Sequence, residues 1–215
     1  MKIKKAIASV IAAVFCLTMI TGTASAHPTE INAGKFTNSS KLDILIRIHP
    51  TAITSSLLTY NDVYKYGTDW NGISSNVKIN IREDTTGMPT IASEGLVCGE
   101  DLGEGYFGKT SYYRANGTQV YGFMDYDYVI ISINSDPNAF DGARDKKEAA
   151  RKTYLHEIGH ALKLTHPITL NYDDHIYNGL PYAVMNQKKP IVDGEWISPT
   201  ITPHDKQCLI EKWGA

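Results

Sequence analysis

Two histidines stand four residues apart with a glutamate beside the first, in the string His156-Glu157-Ile158-Gly159-His160. On a helix that spacing puts both imidazoles on one face, about a turn apart, close enough to share a zinc ion. Glu157 leaves the helix at a different angle, so its carboxylate reaches a water on the metal rather than the metal itself. Zinc lowers the pKa of such a water to about 7, and a neighbouring carboxylate can take its proton as it attacks a carbonyl. The same carboxylate can then pass the proton to a leaving amine. The expected chemistry is hydrolysis of a peptide bond without a protein nucleophile, with Glu157 as the catalytic base.

A third protein ligand would leave the fourth position of the metal open for water. A glutamate from a later helix is excluded, because no Glu occurs between Ile158 and Gly194. Asp173, Asp174 and His175 are alternatives within reach along the chain. His166 has the better spacing, since the chain must turn sharply after Leu162 to bring a side chain back to the same metal. The competing reading is a surface helix with solvated histidines. A third His at this distance and Met185 in a Pro-flanked segment both weigh against it.

The histidines need a helix, and the sequence supplies one. Asp145 followed by Glu148 resembles a capping box, Glu148 stands four residues before Lys152, and no Pro interrupts Ala149 to Leu162. At about 100° per residue, Leu155, Ile158 and Leu162 share one side and the two histidines lie roughly opposite. Strand alternation appears at Lys41 to Ile48 and again at Val77 to Ile81, with a helix expected from about Ala52 to Trp70 between them. Residues 95–118 read as loop because glycines punctuate them. Thr118 to Phe123 and Tyr126 to Ile133 read as strands, the second apolar enough to be buried. Beyond Pro167 the chain reads as irregular until a closing helix from Pro203 to Trp213, with proline in its first turn.

The string from His156 to Pro167 resembles the metzincin motif HExxHxxGxxH, and Tyr182-Ala183-Val184-Met185-Asn186 resembles that family's Met-turn. The order of elements is similar to a matrixin-type catalytic domain over most of residues 41–215. The resemblance implies an α+β fold, a mixed sheet packed on two long helices plus a C-terminal helix. It also implies zinc on His156, His160 and His166 in a cleft, Met185 beneath it as an apolar floor, and a substrate extended along an edge strand. Lys163 departs from the motif, because it stands where the family has a glycine that ends the helix in a left-handed residue. A lysine there costs on the order of 1 kcal/mol. Gln187 stands where some metzincins carry an extra tyrosine ligand, and residues 27–40 hold no cysteine for a cysteine-switch zymogen.

The ends of the chain bear on where such chemistry would occur. Lys2, Lys4 and Lys5 precede an uncharged apolar run of about 15 residues and the small-residue site Ala24-Ser25-Ala26, which together read as a cleaved secretory signal over residues 1–26. The mature chain, with a flexible lead-in over residues 27–40, is then expected outside the cell as a monomer with no membrane anchor. Removing three lysines takes the formal charge from -2 to about -5. No basic cluster with a stacking platform suits nucleic acid. Cys98 and Cys208 remain after cleavage and can form one disulfide in an oxidising exterior. The acids Glu94, Glu100, Asp101 and Glu104 are candidates for a structural calcium ion, although no calcium-loop pattern is present. The partner expected is a protein or peptide substrate. A zinc amidase of cell-wall peptides and a zinc-binding adhesion module with weak or no catalysis are the alternatives.

Overall fold

In the computed structural model the described residues are 34, 41–83, 94–136, 138–141, 143–166, 183–186, 191–192, 195–196 and 200–215. The signal segment, the lead-in apart from Gly34, and Asp173, Asp174, His175 and Gln187 lie outside them. Alternation sets the first strands. In β1 (Leu42–Ile48) every second residue, Leu42, Ile44, Ile46 and Ile48, is buried. In β2 (Val77–Glu83) Val77 and Ile79 do the same. The two strands pair in parallel, with Ile44 opposite Ile79. A parallel pair needs a crossover connection.

That crossover is two helices, not the single one expected from about Ala52 to Trp70. α1 (Thr51–Thr54) stops after one turn, where Ser56 Oγ folds back to donate to Ala52 O. α2 (Tyr60–Thr68) then starts afresh on a reciprocal cap. Thr59 N donates to Asp62 Oδ2 at 2.8 Å, and Asp62 N donates to Thr59 Oγ1 at 3.2 Å. Local side-chain bonds of this kind offer the backbone an alternative to helix.

The loop expected over residues 95–118 contains two strands, β3 (Glu94–Glu100) and β4 (Gly108–Tyr113). Gly99 misleads because it marks close approach within a strand. A Cβ there would lie 2.4 Å from Thr51 O. β5 is shorter than the expected Thr118–Phe123 strand and comprises only Gln119–Val120. β6 (Tyr128–Asn134) is buried along its whole length, as its apolar run predicts.

The six strands lie in the order β2-β1-β3-β6-β4-β5. β2, β1, β3 and β6 are mutually parallel, and β4 runs antiparallel to both β6 and β5. β5 engages only Tyr112 and Tyr113. α3 (Lys146–Ala161) packs on β4, β6 and α2, and α2 packs on β2. Leu155, Ile158 and Leu162 are fully buried on the side of α3 that the sequence assigned to the core. α4 (Pro203–Trp213) closes the chain with the expected bounds. Among the described residues of the region expected to be irregular, β7 (Ile191–Val192) pairs with β8 (Glu195–Trp196) in a small hairpin. The architecture is α+β, a mixed sheet layered with helices.

Cys98 and Cys208 do not form the expected disulfide. Cys98 lies on β3 with its thiol 3.7 Å from Ser132 Oγ across the strand pair. Cys208 is buried in α4 beside His204. The two thiols belong to different neighbourhoods, so no bridge joins the tail to the sheet.

Because β3 passes so close to α1, Gly99→Ala is expected to destabilise the fold by about 1–3 kcal/mol through overpacking. Urea unfolding followed by circular dichroism measures this, and an unchanged midpoint would contradict the close approach.

Candidate metal centre

α3 carries two of the three clustered histidines, and its direction is fixed from both sides. Asp145 Oδ1 accepts from Lys147 N at 2.9 Å and Glu148 N at 3.0 Å, starting the helix where the sequence placed the cap. The expected Glu148–Lys152 pair is replaced. Glu148 takes Arg151, whose Nε also donates to Asp62 of α2 at 2.8 Å. Lys152 instead donates to Asn186 O at 3.2 Å, linking α3 to the Ala183–Asn186 turn.

The structure brings together all three predicted ligands. His156 Nε2 and His160 Nε2 each lie 3.0 Å from His166 Nε2, and the three form the one metal-suited group of His, Cys, Asp or Glu among the described residues. The other ring nitrogens decide what that cluster is for. His156 Nδ1 is 2.8 Å from Val184 O, and His160 Nδ1 is 2.8 Å from Leu164 O. A carbonyl only accepts, so both Nδ1 atoms must carry the proton and both Nε2 atoms present lone pairs. His166 can donate to one of them at most. Without a cation, lone pairs face one another at hydrogen-bond distance. Tetrahedral zinc with Zn–N of about 2.0–2.1 Å holds its nitrogens about 3.3 Å apart, so the triad fits zinc with a small expansion. Burial, reinforced by the neighbouring rings, holds His156 well below the usual imidazole range. It lowers His160 to about 4 and lowers His166 as well. All three are therefore neutral at pH 7, as metal ligation requires.

His166 reaches the cluster through a tight turn. Leu164 N donates to Gly159 O at 3.0 Å and Lys163 N to His160 O at 2.8 Å, the paired bonds of a Schellman motif. Lys163 takes the left-handed place at φ 70°. The departure from glycine has thus left the turn intact. Two tyrosines and a tryptophan complete the helix end. Tyr112 Oη donates to His160 O at 2.8 Å, Tyr126 Oη to Ala161 O at 2.7 Å, and Trp213 Nε1 to Leu162 O at 2.9 Å.

Met185 is buried against α3. A Cβ on Gly159 would lie 2.2 Å from its sulfur, so the position immediately before His160 must be bare. Asp205 of α4 holds this turn from below. Its Oδ2 accepts from Val184 N at 3.0 Å and Thr202 N at 2.8 Å, and its Oδ1 accepts from Met185 N at 3.3 Å. The same Val184 offers its carbonyl to His156, so α4 orients a ligand through one peptide.

Glu157 is buried beside the triad, and burial raises its pKa to about 7 against the lowering effect of Thr110. Thr110 Oγ1 on β4 lies 2.7 Å from Glu157 Oε2 and 2.9 Å from Glu157 O. Sequence reasoning missed Thr110 because it lay in a presumed loop. It missed Asp205 as well, although Thr202 and Asp205 at capping-box spacing were legible. Of the acids considered for calcium, Glu94 pairs with Arg47 at 3.2 Å and Glu100 accepts from Ser132 Oγ.

Asp205→Asn would set an amide NH2 against a backbone N–H of Val184 or Met185 and let His156 swing. Zinc affinity, measured by competition with a chelator, is expected to fall about 10–100-fold. Unchanged affinity would show that Asp205 does not orient the ligand.

No sequence-family model matches the chain, and no curated protein matches it. Among solved structures the chain is similar to archaemetzincin from Methanopyrus kandleri, at 14% identity and TM-score 0.44, covering 81% of this chain and 97% of that one. It is similar to a chain of the ECX AB5 holotoxin in its GM1-bound form, at 12% identity and TM-score 0.44, covering 79% of this chain and 80% of that one. It is also similar to myroilysin, at 14% identity and TM-score 0.41, covering 90% and 97%.

Proposed function

We propose that the chain is an exported zinc metalloendopeptidase of the metzincin type, matrixin-like in plan, acting on proteins or peptides outside the cell. One observation carries the reading. Three imidazole Nε2 atoms converge, two of them with their protons committed to carbonyls, beside the buried carboxyl group of Glu157. Zinc bound there would polarise a scissile carbonyl and acidify water. The protein's own groups supply the rest. Thr110 holds Glu157 Oε2, which leaves Oε1 to accept a proton from the attacking water and return it to the leaving nitrogen. With a pKa raised to about 7, Glu157 can do both at neutral pH.

The edge of the sheet suits a chain-like substrate. β5 pairs with Tyr112 and Tyr113 only, so Gly108 to Ser111 have no strand on their outer side among the described residues. An extended peptide can add there by main-chain hydrogen bonds, across the strand whose Thr110 touches Glu157. The signal-like residues 1–26 support export, and the order of elements supports the matrixin likeness. A zinc-binding adhesion module would have no use for a buried, oriented carboxyl group next to the ligands.

Glu157→Gln is expected to keep about one zinc per chain and lose cleavage of casein. Thr110→Val should keep zinc and slow cleavage about tenfold or more, the scale of a lost charge-assisted hydrogen bond. Cleavage by Glu157→Gln at the parent's rate, or a parent without zinc, would contradict the proposal.

A further inference from the structure

Lys163 is the one non-glycine residue with positive φ among the described residues, at 70°, and its side chain is fully buried. Strain and burial of an amine are both unfavourable, so something local offsets them. Nζ donates to Gly122 O at 2.7 Å and to Met124 O at 3.1 Å. It also lies 4.0 Å from the ring centroids of Tyr112 and Tyr126. Those are the tyrosines whose hydroxyls hold the last carbonyls of α3. Burial lowers the amine to about 7. Protonated or neutral, it still carries the two N–H bonds that both carbonyls need. The loop it grips cannot retreat. Gly34 lies against Met124 so closely that a Cβ would come within 2.0 Å of Met124 O, and Lys212 Nζ donates to Gly34 O at 3.0 Å.

We propose that Lys163 is a positioning residue for the third metal ligand, a pin that joins the left-handed turn before His166 to the Gly122–Met124 loop. Restoring the motif's glycine therefore weakens metal binding, although it relieves the backbone. The ordinary steric argument gives the opposite sign, since glycine is the residue that φ of 70° favours. Without the pin, Tyr112 and Tyr126 lose the group between their rings, and Leu164 O, which orients His160, sits on a looser turn. The inference rests on the zinc reading of the triad.

The test compares zinc affinity, by chelator competition, in the parent, Lys163→Gly, Lys163→Met and the core variant Ile133→Val. Circular dichroism of each metal-free protein checks folding. Lys163→Met keeps an apolar stem among the rings and serves if the glycine variant does not fold. The expected result is a fall of about tenfold or more for both Lys163 variants, with Ile133→Val binding zinc like the parent despite a lower melting temperature. Parent-like or tighter binding by a folded Lys163 variant would overturn the inference, as would an equal loss in Ile133→Val. A parent that binds no zinc would instead sink the zinc reading itself.

Discussion

A neutral imidazole has one proton, and its placement decides what the other nitrogen can do. In this protein His156 gives that proton to Val184 O and His160 gives it to Leu164 O. Both acceptors belong to irregular backbone, so each must be held by something else. Val184 is held by Asp205 from α4, and Leu164 by the Schellman turn at the end of α3. Tyr112 of β4 and Tyr126, two residues before β6, hold the carbonyls at the helix end. Much of the fold can be understood as support for two carbonyl oxygens.

That dependence explains why unfavourable local features persist. Gly159 weakens a helix interior, yet any side chain there would strike Met185. Lys163 occupies a backbone region that lysine avoids, yet its amine fastens the turn to a loop no glycine could reach. Glu157 is kept out of water at a cost to its ionised form, and the shift toward 7 is what acid–base exchange at neutral pH requires. The cost at each position is local, while the geometry it secures is shared by all three histidines.

The parts of this arrangement legible in the sequence are those written in a short period. The spacing of His156, Glu157 and His160, the buried side of α3, the alternation of β1 and β2, and Pro203 at the start of α4 were all readable. β3 and β4 were not, because Gly95, Gly99 and Gly108 look like loop punctuation until their close neighbours are known. The break between α1 and α2 is not legible either, since Ser56 and Thr59 resemble ordinary polar positions within one helix unless their bonds to Ala52 and Asp62 are seen. Long-range partners such as Thr110 for Glu157 and Tyr126 for Ala161 lie 47 and 35 residues away, beyond any periodic signal. Lys163 was legible as a departure, but its compensation was not.

On the zinc reading, three imidazole nitrogens converge on one metal and leave a place for water. X-ray absorption at the zinc edge, on the protein loaded with one equivalent, tests it most directly. Three nitrogen scatterers at about 2.0–2.1 Å, with imidazole outer-shell features, and one further light atom are expected. A sulfur shell at about 2.3 Å, or a six-coordinate oxygen environment without imidazole, would contradict it, because either would place the metal away from His156, His160 and His166.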